Sequence, residues 1–111
     1  MIEYDDLLNI NKQVIMPDNY RRIKDALAKL PNSSYEIAAT LEKLGIQGYK
    51  KSLSACPLAR YITKTCNVDT FVMWNRISVW GDVCYLPTDR SISQFIKDFD
   101  SGHFPEIEEK V

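Results

Sequence analysis

The sequence is short of the residues that most often carry chemistry. It has one histidine, His103, and three cysteines, Cys56, Cys66 and Cys84. An odd count with no Cys-x-x-Cys spacing excludes the dense, even pattern of a secreted disulfide scaffold. One histidine with three scattered cysteines also excludes every compact zinc motif. With only four glycines in 111 residues, no phosphate-cradling loop is present. Gly45-Ile46-Gln47-Gly48 has neither a strand before it nor a Lys-Ser/Thr ending after it, so it reads as a turn. No apolar run approaches the roughly 18 residues of a membrane span, and the acidic start, MIEYDDLLNI, is unlike a signal peptide. An excess of charge of one sign is lacking too. A formal net charge of -1 gives no global attraction to nucleic acid or anionic lipid. These absences predict a cytoplasmic protein with reduced thiols, no metal, no cofactor and no membrane partner.

What is there suffices for a core. The hydrophobic fraction is 45% and the charged fraction 26%, with four Phe, six Tyr and two Trp, the composition of a folded domain. The length predicts a single domain over 1–111, with a lead-in at 1–18 and an acidic tail at 103–111. Within the lead-in a short helix over 5–9 is compatible with the pattern. Glu106, Glu108 and Glu109 predict a frayed tail.

Between these ends the pattern is helical and then β. Tyr20, Ile23, Leu27 and Leu30 recur at spacings of three and four, predicting a first helix over 19–30 stopped by Pro31. Ser33-Ser34-Tyr35-Glu36 matches a capping box. It opens a second helix with Ile37, Leu41 and Leu44 inward and Gly45 as its left-handed end. A third helix over 56–66 starts with Pro57 at the first helical position and stops at Asn67. Phe71–Trp74, Ile77–Trp80 and Val83–Leu86 are rich in β-branched and aromatic residues, and Gly81-Asp82 reads as a hairpin turn. One sheet face would carry Ile77, Val79, Cys84 and Leu86; the other would carry Trp80, Val83 and Tyr85. A last helix over 89–100 has Ile92, Phe95, Ile96 and Phe99 as its apolar stripe and Gly102 as its end. The expected fold is α+β: three N-terminal helices, a β-hairpin or small antiparallel sheet, and a C-terminal helix around one core.

Three functional readings compete. Trp74, Trp80 and Tyr85 would cluster on a bare sheet face, and exposed Trp and Tyr favour partner contacts. The first reading is therefore a non-catalytic interaction or regulatory module acting by protein–protein contact or self-association, such as a homodimer. The alternative is a winged helix-turn-helix DNA binder, because three helices and a hairpin follow in that order. The third helix would present Arg60 and Lys64 at an i, i+4 spacing, with Lys50 and Lys51 on phosphate. The third reading is a cysteine-dependent enzyme. Cys56 sits at a helix start, where free amides favour a thiolate. The only base on offer is His103, and nothing in the sequence brings the two together. A thiol filling an apolar niche is the plain alternative.

Two stretches carry a resemblance. Gly45-Ile46-Gln47-Gly48 followed by Ala55-Cys56-Pro57-Leu58-Ala59-Arg60-Tyr61-Ile62 is one, and Phe95 through Ile107, FIKDFDSGHFPEI, is the other. Together they resemble a group of small bacterial proteins with a Cys-Pro-Leu/Val-Ala-x-Tyr helix start and a Phe-Asp-x-Gly-x-Tyr/Phe-Pro ending. The resemblance implies a bacterial origin and brings no activity with it. A structural lock satisfies both motifs: Pro57 starts a helix, Gly102 ends one, and Phe104 folds back on the core.

Overall fold

The computed structural model describes residues 2–3, 18–79 and 84–109. Its helices are α1 (Asp18–Ala28), α2 (Ser34–Lys43), α3 (Pro57–Cys66) and α4 (Arg90–Asp100). Its strands are β1 (Ile2–Glu3), β2 (Thr70–Val72), β3 (Arg76–Val79) and β4 (Cys84–Pro87), and a 3₁₀ turn follows at Pro105–Ile107. The fold is α+β, as the element order predicts. The sheet runs β1-β4-β3-β2, with β2, β3 and β4 antiparallel and β1 parallel to β4. The expected helix over 5–9, the turn at Gly81-Asp82, Trp80, Val83 and the side chain of Cys84 lie outside the described residues.

The helix ends follow local chemistry. The Ser33 hydroxyl accepts the Glu36 amide at 3.2 Å, satisfying one of the donors that a helix start leaves free. At the other end of α2 Gly45 has φ +74°. The Gly45 and Ile46 amides donate to the Glu42 and Leu41 carbonyls, which is a Schellman closure. The same closure ends α4: Gly102 has φ +86°, and the Gly102 and His103 amides donate to Phe99 and Asp98. Asn67 ends α3 in the left-handed region at φ 56°. The first helix stops at Ala28 rather than Leu30. Pro31 disfavours the α region for Leu30, and i+3 bonds from Lys29 and Leu30 tighten the exit instead.

One apolar cluster holds these elements together. Tyr20, Ile23, Ile37, Leu41, Leu58, Ile62, Ile77, Phe95 and Phe99 are all at most 1% exposed. Two tyrosine hydroxyls fix the layers. Tyr61 donates to the Ala26 carbonyl at 2.7 Å, tying α3 to α1. Tyr20 accepts the Val79 amide at 3.2 Å, tying α1 to β3. On the sheet, Val72 pairs with Ile77 and Ile77 with Leu86. All three are buried and Val79 packs against the same cluster, so Ile77, Val79 and Leu86 face inward as expected.

Two expectations are corrected. Trp74 does not continue a strand. Met73 and Arg76 exchange backbone hydrogen bonds at 2.8 and 3.3 Å, so Trp74-Asn75 is the two-residue link between β2 and β3. Thr88, just after β4, clamps that link, its hydroxyl donating to the Trp74 carbonyl at 2.7 Å. Nor is the tail frayed over residues 103–109. Phe104 and Ile107 are buried, and the Phe104 ring stacks on Phe95 with centroids 5.6 Å apart. Glu108 bridges Gly48 in a short parallel pairing. Apolar side chains at 104 and 107 outweigh the acidic composition around them. Among the described residues no helix is long and apolar enough to cross a membrane.

Candidate functional site

The loop between Gly48 and Cys56 shapes one wall of an apolar concavity. At Gly48 the chain passes so close to the start of α3 that a Cβ would lie 2.4 Å from the Pro57 nitrogen and 2.6 Å from the Ala55 oxygen, so only glycine fits. Lys51 follows at φ 59°, and its amide donates to the Asp100 carboxylate at 2.8 Å. The Leu53 carbonyl accepts the Val72 amide at 2.7 Å. The loop is thus pinned to the end of α4 on one side and to the edge of β2 on the other.

Between those two anchorages lies a groove of about 410 Å³, lined by Leu53, Pro57, Val72, Met73, Trp74 and Ile96 among others. Trp74 is 53% exposed and Leu53 45%, so two large apolar side chains stand open to water at its edge. The charged groups of the lining are Lys51, Lys97 and Asp100. The Lys97 ammonium sits 4.5 Å from the centroid of the Trp74 ring, a cation–π contact.

The expected aromatic trio is only partly placed. Trp74 meets α4 through Lys97. Tyr85 lies on the outer face of β4, half-buried, with the Arg76 guanidinium 5.3 Å from its ring centroid. Trp74 and Tyr85 therefore do not share a face.

Of the four candidate nucleic-acid contacts, two are already paired with the tail. Lys50 bridges Glu108 at 3.4 Å. Arg60 bridges Glu109 at 3.1 Å, donates to the Gln47 carbonyl at 3.0 Å and lies over the Tyr49 ring. Hydrogen bonds from Arg60 and then Tyr49 hold the Glu109 carboxyl below its ordinary range, while the bond to Glu109 pushes the Tyr49 hydroxyl up. Lys51 borders the groove, and Lys64 is exposed on the outer side of α3.

Cys56 lines the floor of the groove but is only 5% exposed. Its sulfur accepts the Ala59 amide at 3.4 Å as the cap of α3. Burial pushes the thiol up to about 11, against amide hydrogen bonds that pull it down. Desolvation outweighs the helix start. His103 is turned elsewhere, its Nδ1 3.4 Å from Asp98 Oδ1.

That imidazole belongs to a cluster the sequence did not reveal. Ser34 donates to Asp98 Oδ2 at 2.6 Å, and Gln94 donates to Oδ1 at 2.8 Å. Burial pushes the Asp98 carboxyl up, but hydrogen bonds from Ser34 and Gln94 and the facing His103 outweigh it, so the net shift is down. The carboxylate stands between hydroxyl and imidazole. A nucleophilic serine needs the imidazole in the middle, so this cluster is a clamp joining the start of α2 to the end of α4. Among the described residues no group of His, Cys, Asp and Glu has the arrangement to hold a metal ion. No family model, curated protein or solved structure matches the chain.

Proposed function

We propose that this chain is a non-catalytic interaction module that works by protein–protein contact, with the groove beside Trp74 as the contact site. One observation carries the reading: Trp74 and Leu53 stay open to water at the edge of a preformed apolar concavity of about 410 Å³. Exposed large apolar groups around a concavity mark binding sites on soluble proteins, and tryptophan is prominent among the side chains that dominate contact energies. The proposal includes the cytoplasmic, bacterial setting expected above, and the free thiols of Cys56 and Cys66 are consistent with a reducing compartment. The alternative of DNA contact through Lys50, Lys51, Arg60 and Lys64 would require Glu108 and Glu109 to release two of those cations, and we do not put it forward.

The test is site-specific photo-crosslinking in the organism of origin. A photoreactive side chain replacing Leu53 should give a discrete protein adduct. The same group at Lys24, which lies on α1 outside the groove lining, should not. Equal labelling at both positions, or none at Leu53, would remove the reading.

A further inference from the structure

We infer that the groove takes an acidic peptide segment of a partner protein: a bulky apolar side chain enters beside Trp74, and a neighbouring carboxylate meets Lys51 and Lys97. The inference rests on the reading of the groove as a contact site and names the chemistry of its occupant.

Charge is the first argument. The groove has three charged lining residues, Lys51, Lys97 and Asp100. Asp100 already accepts the Lys51 amide at 2.8 Å. The two ammonium groups have no carboxylate partner among the described residues; other cations do, as in Arg21 with Asp18, Lys50 with Glu108 and Arg60 with Glu109. The mouth therefore presents two positive charges against one committed negative charge, which favours an acidic approach and disfavours a basic one.

Preorganisation is the second. Lys97 is held 4.5 Å from the Trp74 ring centroid and Lys51 by a backbone anchored to both Asp100 and Val72 through its loop. A carboxylate meeting Lys97 orders little that is not ordered already, and at Lys51 only the side chain remains to be ordered, so less of the contact energy is lost to entropy. Size is the third argument. About 410 Å³ lies near the lower end of ligand-sized pockets, room for an anchor side chain and its neighbours rather than a whole helix. Met73 in the lining can adapt to the shape of that anchor.

The experiment is panning of a short random-peptide display library against the full chain, followed by fluorescence polarisation with the enriched peptides. The expected winners carry Leu, Ile, Phe or Trp beside Asp or Glu. Their affinity should fall with rising salt, and by about tenfold or more in both Trp74→Ala and the Lys51→Glu/Lys97→Glu double variant. Both lysines are exposed, and circular dichroism checks that each variant is folded. The double variant, panned anew, should instead select basic flanks. Neutral apolar winners that depend on Trp74 but ignore the double reversal would overturn the inference and leave the groove as a contact site. So would a concentration-dependent dimer, seen by light scattering, that Trp74→Ala abolishes. Winners insensitive to Trp74→Ala, or no winners at all, would overturn both.

Discussion

The Cys56 sulfur is closed off from water and accepts the Ala59 amide. Burial raises the thiol to about 11, so it stays protonated at neutral pH. In the unfolded chain it would ionise near its ordinary value of about 8.5. The folded form therefore keeps its proton longer, and this contribution to stability is full below the unfolded value and declines as pH rises through the folded one. Iodoacetamide labelling with mass mapping should find native Cys56 almost inert at pH 8, becoming labelled only under denaturing conditions or towards pH 11. A rate at pH 8 equal to that of the denatured chain would contradict the burial. Asp98 carries the opposite sign. Its folded value is depressed, so its contribution is present above about pH 4, the ordinary aspartate value, and is lost as pH falls through the folded one. Asp98→Asn should cost about 1.5 kcal/mol near neutrality, the lower end for a hydrogen bond to a charged group. It should also flatten the acid limb of the urea-midpoint profile.

At the scale of elements, two small joints hold the groove loop and the tail. Gly48 lies where a Cβ would meet backbone atoms of Ala55, Cys56 and Pro57 at 2.4 to 2.6 Å, none of which can rotate away. Gly48→Ala should lower the unfolding free energy by about 3 kcal/mol, at the upper end of overpacking costs, measured by urea denaturation. A change under about 0.5 kcal/mol, typical of surface substitutions, would mean the loop yields freely. Phe104 fills the space between Phe95 and Tyr35, with centroids 5.6 and 5.4 Å away. Phe104→Ala should cost about 4 kcal/mol and loosen residues 103–109, seen as lost amide-exchange protection at Gly48 and Glu109, whose backbones are paired. Residual protection equal to wild type would show that Ile107 alone suffices to dock the tail.

For the whole molecule, α1–α4, the sheet and the docked tail all feed one buried cluster. A chain with a single core should unfold in one cooperative step. Far-ultraviolet circular dichroism and tryptophan fluorescence should give coincident urea transitions, and two separated transitions would divide the chain into independent parts. The contact reading also belongs to this scale. Trp74 lies outside the cluster, so Trp74→Ala should change stability by less than about 1 kcal/mol while removing binding in the groove. An engaged core residue would do the reverse.

Helix boundaries were legible from sequence because caps act within a few residues: Ser33 with Glu36, Pro57 after Cys56, and Gly45 and Gly102 at their left-handed ends. The apolar stripe of α4 and the inner face of the sheet followed from period alone, since burial there requires only that every third or fourth, or every second, residue be apolar. Tertiary structure decided the rest. It turned Trp74 into a link held by Thr88, seated Phe104 and Ile107 in the core, and set Glu108 and Glu109 against Lys50 and Arg60. It also placed Lys51 and Lys97 at one mouth although they lie far apart in the chain. A cap or a period is a local free-energy preference written in neighbouring residues. Which distant surfaces meet depends on the competition of all such surfaces for one core, and that sum has no signature in any short stretch of sequence.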